Sequence, residues 1–395
     1  MNQNLSLSQN QTPVRGSDAV FPAEEFAARI KSLQARITKE DVDALLLTGP
    51  ENIFWATGRQ TSGYFAFQAL LVPAQGAPSL LVRQLEQTYA ITATRLDDIR
   101  IWQDGEDPAL ALVRMIEQAG ISRLARERTG WFVSPDLNDR ITTALSNVTQ
   151  IDGSGWVEDL RIVKSSRELS ALRQAAVYTQ AGLTAAIERC AEGVSENDIA
   201  AAMCVAAISA GSEAMAMEPL ISSGPRSGVP HATWRRRTLE KGDAVFLELA
   251  ASHNRYHAAL MRSVWIGPPP SQAQAMMDTA ERALDAALAA MVPGAPCADA
   301  HLAAQAIIDD AGYTAAFCKR IGYSMGVAFA PDWGEGAILS LFTSVDRLLE
   351  PGMVFHLPAT LRSYGVFTVG VSETVIVKDT GIEPLSDLPR QMTVK

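Results

Sequence analysis

Leu239 to Gly267 reads LEKGDAVFLELAASHNRYHAALMRSVWIG. Two apolar runs, Ala244–Ala250 and Ala259–Ile266, flank a short polar stretch, so the segment predicts a β-hairpin. Glu248 interrupts the first run. A lone carboxylate inside an apolar strand is paired, protonated or functional, unless it faces solvent from a half-exposed strand. As a nucleophile or base it would gain from partial burial. His253 and His257 are four residues apart, a spacing that suits a metal on a helix. A hairpin does not provide that geometry, and no metal site is expected there.

Further strands are expected at Met353–Leu357 and Val366–Val377. Helices are expected from Ser165 or Ser166 as N-cap, from a capping-box-like Ser195 and Asp198 to a stop at Gly211, over Gln274–Met291, and over Cys297–Ala311. Strands with helices segregated to one side predict an α+β domain. Upstream, Phe26, Ile30, Leu33 and Ile37 fall at helical spacing, and Ala44–Leu47 supplies a strand. ALLVPAQGAPSLLVR, residues 69–83, reads as a hairpin around a Pro/Gly turn. The expected organisation is a flexible tail over 1–20, an α/β domain over 21–158 and the α+β domain over 159–395.

The chain has 395 residues, with 34 Lys plus Arg against 44 Asp plus Glu, a net charge of −10. Such an acidic balance speaks against nucleic acid and anionic membrane surfaces as partners. Apolar residues make up 47%, enough for a sizeable core. No apolar run is long enough to span a bilayer, and the N-terminus lacks the order of a signal peptide, so a cytoplasmic protein is expected. Cys190, Cys204, Cys297 and Cys318 form no CxxC pair and are expected as buried free thiols.

Other segments carry candidate chemistry. In GVPHATW, His231 sits between Gly/Pro punctuation and Trp234, placed as an acid/base group or as an ordinary loop histidine. GYSMGVAFAPDWGEG, residues 322–336, gathers Tyr323, Asp332, Trp333 and Glu335 in a glycine-rich loop. Carboxylate and indole together suit a cationic substrate group, or build a structural turn. His356 and Glu373 lie on two expected strands and converge if those strands pair. No G-x-G-x-x-G, Walker loop, G-x-S-x-G or H-E-x-x-H is present, which weakens nucleotide, serine-hydrolase and zinc-protease readings.

Taken together, RIVKSSRELSALRQAA (161–176), the Leu239–Gly267 hairpin, LLEPGMVFHLP (348–358) and VSETVIV (371–377) resemble the pita-bread family of creatinase, prolidase, aminopeptidase P and methionine aminopeptidase. The resemblance covers residues 21–395 and implies a creatinase-like α/β N-terminal domain followed by an α+β pita-bread domain. The family's metallopeptidases hold two metal ions with two Asp, one His and two Glu. At those positions this chain has Glu248, Ala259, Tyr323, Pro358 and Ser372, or Glu373 if the alignment shifts by one. The resemblance therefore implies a fold kept without its metals, and no cofactor.

Within the family, PHATW, the 322–336 loop, GMVFHLP and the C-terminal DLPRQMTVK resemble the ectoine hydrolase subgroup, which opens a cyclic amidine to an N-acetylated diaminobutyrate. That subgroup leads one to expect a further acidic residue near Gly370, in TVGVSE, and none stands there besides Glu373. The resemblance implies Glu248 as nucleophile or base, His231 as proton shuttle, and Glu373 and His356 orienting the amidine. Tyr323, Asp332, Trp333 and Glu335 would shape the pocket. It also implies a homodimer whose small domain covers the partner's site through NIFWATGRQTSGYFAF (52–67), with Trp55, Arg59, Tyr64 and Phe65 against a zwitterionic substrate. A deacetylase is the partner expected downstream. Competing readings are another amidine or guanidine hydrolase, a metal-dependent Xaa-Pro peptidase or sulfonium lyase, and a non-catalytic pita-bread module.

Overall fold

The computed structural model describes residues 13–395 and divides into two compact units, one ending at Arg161 and one beginning at Ile162. The expected tail falls largely on residues outside that range. Its described end is tied down: Gly16 and Asp18 donate backbone N–H groups to Ile91 and Thr92 carbonyls at 3.0 and 2.9 Å.

The first unit is a six-stranded mixed sheet covered by helices. Its strands are β1 (Ala44–Leu47), β2 (Ala69–Pro73), β3 (Ser79–Arg83), β4 (Asp98–Trp102), β5 (Arg123–Arg126) and β6 (Thr149–Asp152), in the order β4-β3-β2-β1-β5-β6. The β2–β3 hairpin is antiparallel, as its Pro/Gly turn predicts, while β3–β4, β1–β5 and β5–β6 are parallel. Helix α1 (Ala23–Lys39) buries Phe26, Leu33 and Ile37, the stripe read from helical spacing.

In the second unit, helices and strands form two layers. The sheets are β15-β9-β8-β7 and β11-β10-β12-β13-β14. Their strands are β7 (Leu220–Ser223), β8 (Ala244–His253), β9 (Tyr256–Trp265), β10 (Gly322–Ser324), β11 (Ser340–Leu341), β12 (Val354–Ser363), β13 (Phe367–Val377), β14 (Ile382–Pro384) and β15 (Thr393–Val394). Helix α2 (Ser166–Arg189) opens on a full capping box, Ser165 with Glu168, and packs on β8 and β9. Helix α3 (Glu196–Ala210) opens on Ser195 and Asp198 and stops at Gly211, φ 122°. Helices α4 (Ser271–Ala290) and α5 (Cys297–Asp310) pack on each other, and α4 covers β12 and β13.

Strand alternation then decides which side chains meet. On β8, Val245, Leu247 and Leu249 join the core under α2 and α3. On β12 and β13, Phe355, Leu357, Leu361, Val369, Val371 and Val375 join the core with α4 and α5. Residues one step out of phase, Glu248, His356, Pro358, Ser372 and Thr374, therefore face away from the helices.

No backbone ladder joins β9 to β13. Hydroxyls bridge them instead. Met261 N–H donates to Ser372 Oγ at 2.7 Å, Thr374 Oγ1 donates to the Ala259 carbonyl at 2.7 Å, and Ser263 Oγ donates to the Gly370 carbonyl at 2.8 Å. Gly370 returns its own N–H to Ser263 Oγ at 2.9 Å.

Gly370 is fixed by close approach. A Cβ there would run into the Ala359 carbonyl oxygen and stand 2.7 Å from Thr360 Cα. No acidic side chain fits at this position. Gly370→Ala is expected to cost about 1–3 kcal/mol of stability by overpacking, read as a lower midpoint in urea unfolding.

Candidate functional site

On the face turned away from the helices, Glu248 pairs with Met261 of β9 and Leu220 of β7. It is 7% exposed, and its side chain makes no hydrogen bond or ion pair with the described residues. Burial pushes its carboxyl up to about 7, against the pull of Lys319 and Arg362. The carboxylate thus lies within the field of two cations and is claimed by neither.

A hydrogen-bonded chain forms the other side. Trp333 Nε1 donates to Tyr323 Oη at 3.0 Å, and Tyr323 Oη meets His356 Nδ1 at 2.9 Å. His356 Nε2 meets Ser372 Oγ at 2.7 Å, and Ser372 Oγ accepts the Met261 N–H. The β10–β12 register sets Tyr323 opposite His356. Burial, with Lys319 and Arg262 nearby, pushes His356 down to about 3, so its ring is neutral at pH 7. Burial, with Glu248 next, drives the Tyr323 phenol far above its ordinary value.

Lys319 and Arg362 complete the group, and sequence reading missed both. Lys319 Nζ donates to the Pro358 carbonyl. Arg362 Nη1 donates to Thr360 Oγ1 at 3.1 Å, leaving its buried Nε without a partner. Arg362 shares the period-two phase of His356, Pro358 and Thr360, and that was the available signal. Lys319 lies in the turn before β10, where no periodicity marks it.

Several predicted residues stand elsewhere. Glu373 is on the opposite face of β13 from Ser372. Arg262 Nη2 bonds its Oε1 at 2.9 Å and Arg390 Nε bonds the same oxygen at 3.2 Å. It is a buried ion-pair partner and does not converge with Glu248. Glu335 is likewise structural, held by Lys164 at 2.8 Å with both side chains 1% exposed. His231 sits exposed on a loop at φ 57° and does not hydrogen-bond to Glu248. Asp332 is exposed and caps Gly334 N–H at 3.0 Å. Trp333 and Tyr323 do line the site, and Trp333 is 3% exposed.

In the first unit, Trp55 is packed in the core at 4% exposure, and Arg59 is buried against Gln68 at 2.8 Å and Glu86 at 3.3 Å. Burial withdraws both from the covering role. Tyr64 is half-buried against Phe132, and Phe65 is 78% exposed. All four cysteines are free, but Cys318 is exposed and Cys204 half-buried, so only Cys190 and Cys297 match the expectation. His253 and His257 do not converge: His253 Nδ1 meets Tyr178 Oη at 3.2 Å, while His257 Nε2 accepts Ala216 N–H at 3.0 Å.

The donor set does not fit a dinuclear metal centre. Of the five family positions, Glu248 alone offers a carboxylate on this face. Ala259 and Pro358 offer no ligand side chain, and Lys319 is bonded at Pro358. Among the described residues no cluster of three or more His, Cys, Asp or Glu is arranged to hold a metal ion. No described helix is long and apolar enough to cross a membrane.

Comparison with known proteins agrees with this architecture. Residues 170–379 match the model of metallopeptidase family M24, and residues 29–163 match the creatinase/prolidase N-terminal domain. The chain belongs to the M24 family of creatinase–prolidase hydrolases, with a creatinase N-terminal domain and a pita-bread C-terminal domain. It is 29% identical over 390 residues to the uncharacterized hydrolase/peptidase y4tM of Sinorhizobium fredii, covering 95% of this chain and 98% of that one. It is 25% identical over 401 residues to the ectoine hydrolase of Halomonas elongata, again covering 95% and 98%. The solved prolidase of Thermococcus sibiricus superposes with a TM-score of 0.84 at 22% identity, over 94% of this chain and 99% of that one.

Two outcomes are expected. Glu373→Gln unbalances the buried Arg262 and costs about 3 kcal/mol or more, seen in urea unfolding, while kcat of the folded protein is retained. His257 is pushed down to about 3 by burial, so the folded state binds fewer protons than the unfolded chain between about 6.5 and 3. Its contribution is present above 6.5 and is lost as pH falls through that window. His257→Asn is expected to flatten the acid-side fall of unfolding free energy between pH 6.5 and 4.

Proposed function

We propose that this chain is a metal-independent hydrolase that opens a small zwitterionic cyclic amidine, ectoine, to N-acetyl-diaminobutyrate. The observation that carries the reading is Glu248: a buried carboxylate with no hydrogen-bond or ion-pair partner among the described residues, under the influence of Lys319 and Arg362. An amidinium carbon is electrophilic without a Lewis acid, so a carboxylate is sufficient to attack it. The substrate's positive ring suits Glu248, and its carboxylate suits the Arg362 guanidinium, whose buried Nε has no partner.

In this reading Glu248 bonds to the amidinium carbon, one ring C–N bond breaks, and water releases the acyl group. Tyr323 and Trp333 orient the ring through the hydrogen-bonded chain that ends at Ser372. The resemblance to ectoine hydrolase, 25% identity over 95% of this chain, supports the same substrate. The expected homodimer belongs to this proposal, with exposed Phe65 and half-buried Tyr64 as the residues left to cover a partner's site.

Chelator-treated protein incubated with ectoine is expected to form N-acetyl-diaminobutyrate, followed by mass spectrometry. Glu248→Gln is expected to lower turnover by at least about 10³-fold with the fold retained. In H₂¹⁸O, a single turnover of the covalent route leaves label in the product amide and none in Glu248, and repeated turnovers leave it so. Label in Glu248 would mean that water attacks the carboxyl carbon. No product from ectoine, with activity on a proline dipeptide plus manganese, would overturn the reading.

A further inference from the structure

A departing nitrogen needs a proton, and the histidine expected to supply it, His231, stands exposed on a loop. The groups around Glu248 are differently suited to the task. Arg362 holds its protons throughout the neutral range. The ring of His356 is neutral and both its nitrogens are engaged, by Tyr323 and Ser372. Tyr323 is held in its phenol form. Lys319 remains.

Its placement is specific. The ammonium donates to the Pro358 carbonyl, in the middle of β12, where Pro358 faces Ser372 across the ladder. The Phe317 ring lies 5.3 Å from Nζ. The charged and titratable groups acting on it come from every neighbouring element. Glu248 on β8 favours the ammonium. Arg362 on β12 and Arg320 beside it in the chain oppose it. His356 on β12 and His301 on α5 feel Lys319 in turn. Burial and the two guanidinium groups bring the amine down to about 7, so it can give and regain a proton in the neutral range.

We propose that Lys319 is the proton donor to the departing ring nitrogen and the base for the water that follows. The inference rests on the amidine reading above. Glu248 oxygen bonds to the amidinium carbon, and the C=N π pair moves onto nitrogen. The first nitrogen's lone pair then re-forms the C=N bond as the C–N bond to the other nitrogen breaks. Its electron pair stays on that nitrogen, which takes a proton from the Lys319 ammonium. Neutral Lys319 next accepts a proton from water as the water oxygen bonds to the imidate carbon and the C=N pair returns to its nitrogen. The C–O bond to Glu248 breaks with its pair returning to the carboxylate, and the new hydroxyl's proton passes to the released amine. One water is consumed, and nothing is oxidised or reduced.

Three variants and one titration test this with the full-length protein and ectoine. Lys319→Arg keeps the charge but not the transferable proton. It is expected to lose kcat by about 10²–10⁴-fold with KM changed less than about threefold. Lys319→Ala is expected to regain part of its turnover with added methylamine, and Lys319→Met to regain none beyond that level without it. In wild-type protein carrying ¹³C-methylated lysines, the resonance absent from Lys319→Arg is expected to titrate near 7. A Lys319→Arg enzyme within about tenfold of wild-type kcat, or a Lys319 that titrates above about 9, overturns the assignment even if ectoine is turned over. A wild-type protein inert toward ectoine instead overturns the substrate reading, which the titration does not depend on.

Discussion

The seam between β9 and β13 is the constraint on which the rest of the catalytic unit depends. Two sheets meet there without a backbone ladder, so side chains satisfy the edge groups. Ser263, Ser372 and Thr374 supply hydroxyls, and Arg262 donates to the Ser372 carbonyl at 2.7 Å as well as to Glu373. Each such bond is worth about 1 kcal/mol net, but an unmade one in this buried strip costs about 1–3 kcal/mol. The seam also sets the site. Ser372 is committed to Met261 and His356 at once, which fixes the His356 ring, then Tyr323, then Trp333.

Charge on the inner face follows from what borders Glu248. Ala259 and Pro358, which the family resemblance sets at ligand positions, are apolar, so Glu248 gains nothing from hydrogen bonding to their side chains. Desolvation raises its pKa, while Lys319 and Arg362 restrain the rise. The same burial lowers Lys319, and Glu248 restrains that fall. Each group thus restrains the shift that burial imposes on the other.

Much of the fold was legible locally. The capping boxes at Ser165 and Ser195, the stop at Gly211 and the hairpin over residues 69–83 all depend on residues within one or two turns of each other. Strand ends were less legible. β12 runs to Ser363, six residues beyond the expected Leu357, because pairing with β13 through Ser363–Phe367 carries it across Pro358. The N-terminal helix, β1 and the two-unit division likewise followed from apolar spacing and composition.

The site was legible only where one residue's surroundings in sequence matched its surroundings in space. Glu248 was such a case, since an apolar strand around a carboxylate is already an argument for burial. Glu373 was the opposite case. In sequence it stands beside Ser372 and looks equivalent, but a one-residue step on a strand turns a side chain to the other face. Only the tertiary structure shows that face to be filled by Arg262 and Arg390. Glu335 and Trp55 were claimed in the same way by Lys164 and by the core. Sequence alone determined the family and its pairing of a creatinase-type domain with a pita-bread domain, because motifs and residue identity are properties of the chain itself. The tertiary structure decided that Lys319 and Arg362 act on Glu248 and that His231 does not bond to it, because electrostatic partnership depends on distance through space, which the order of residues does not record.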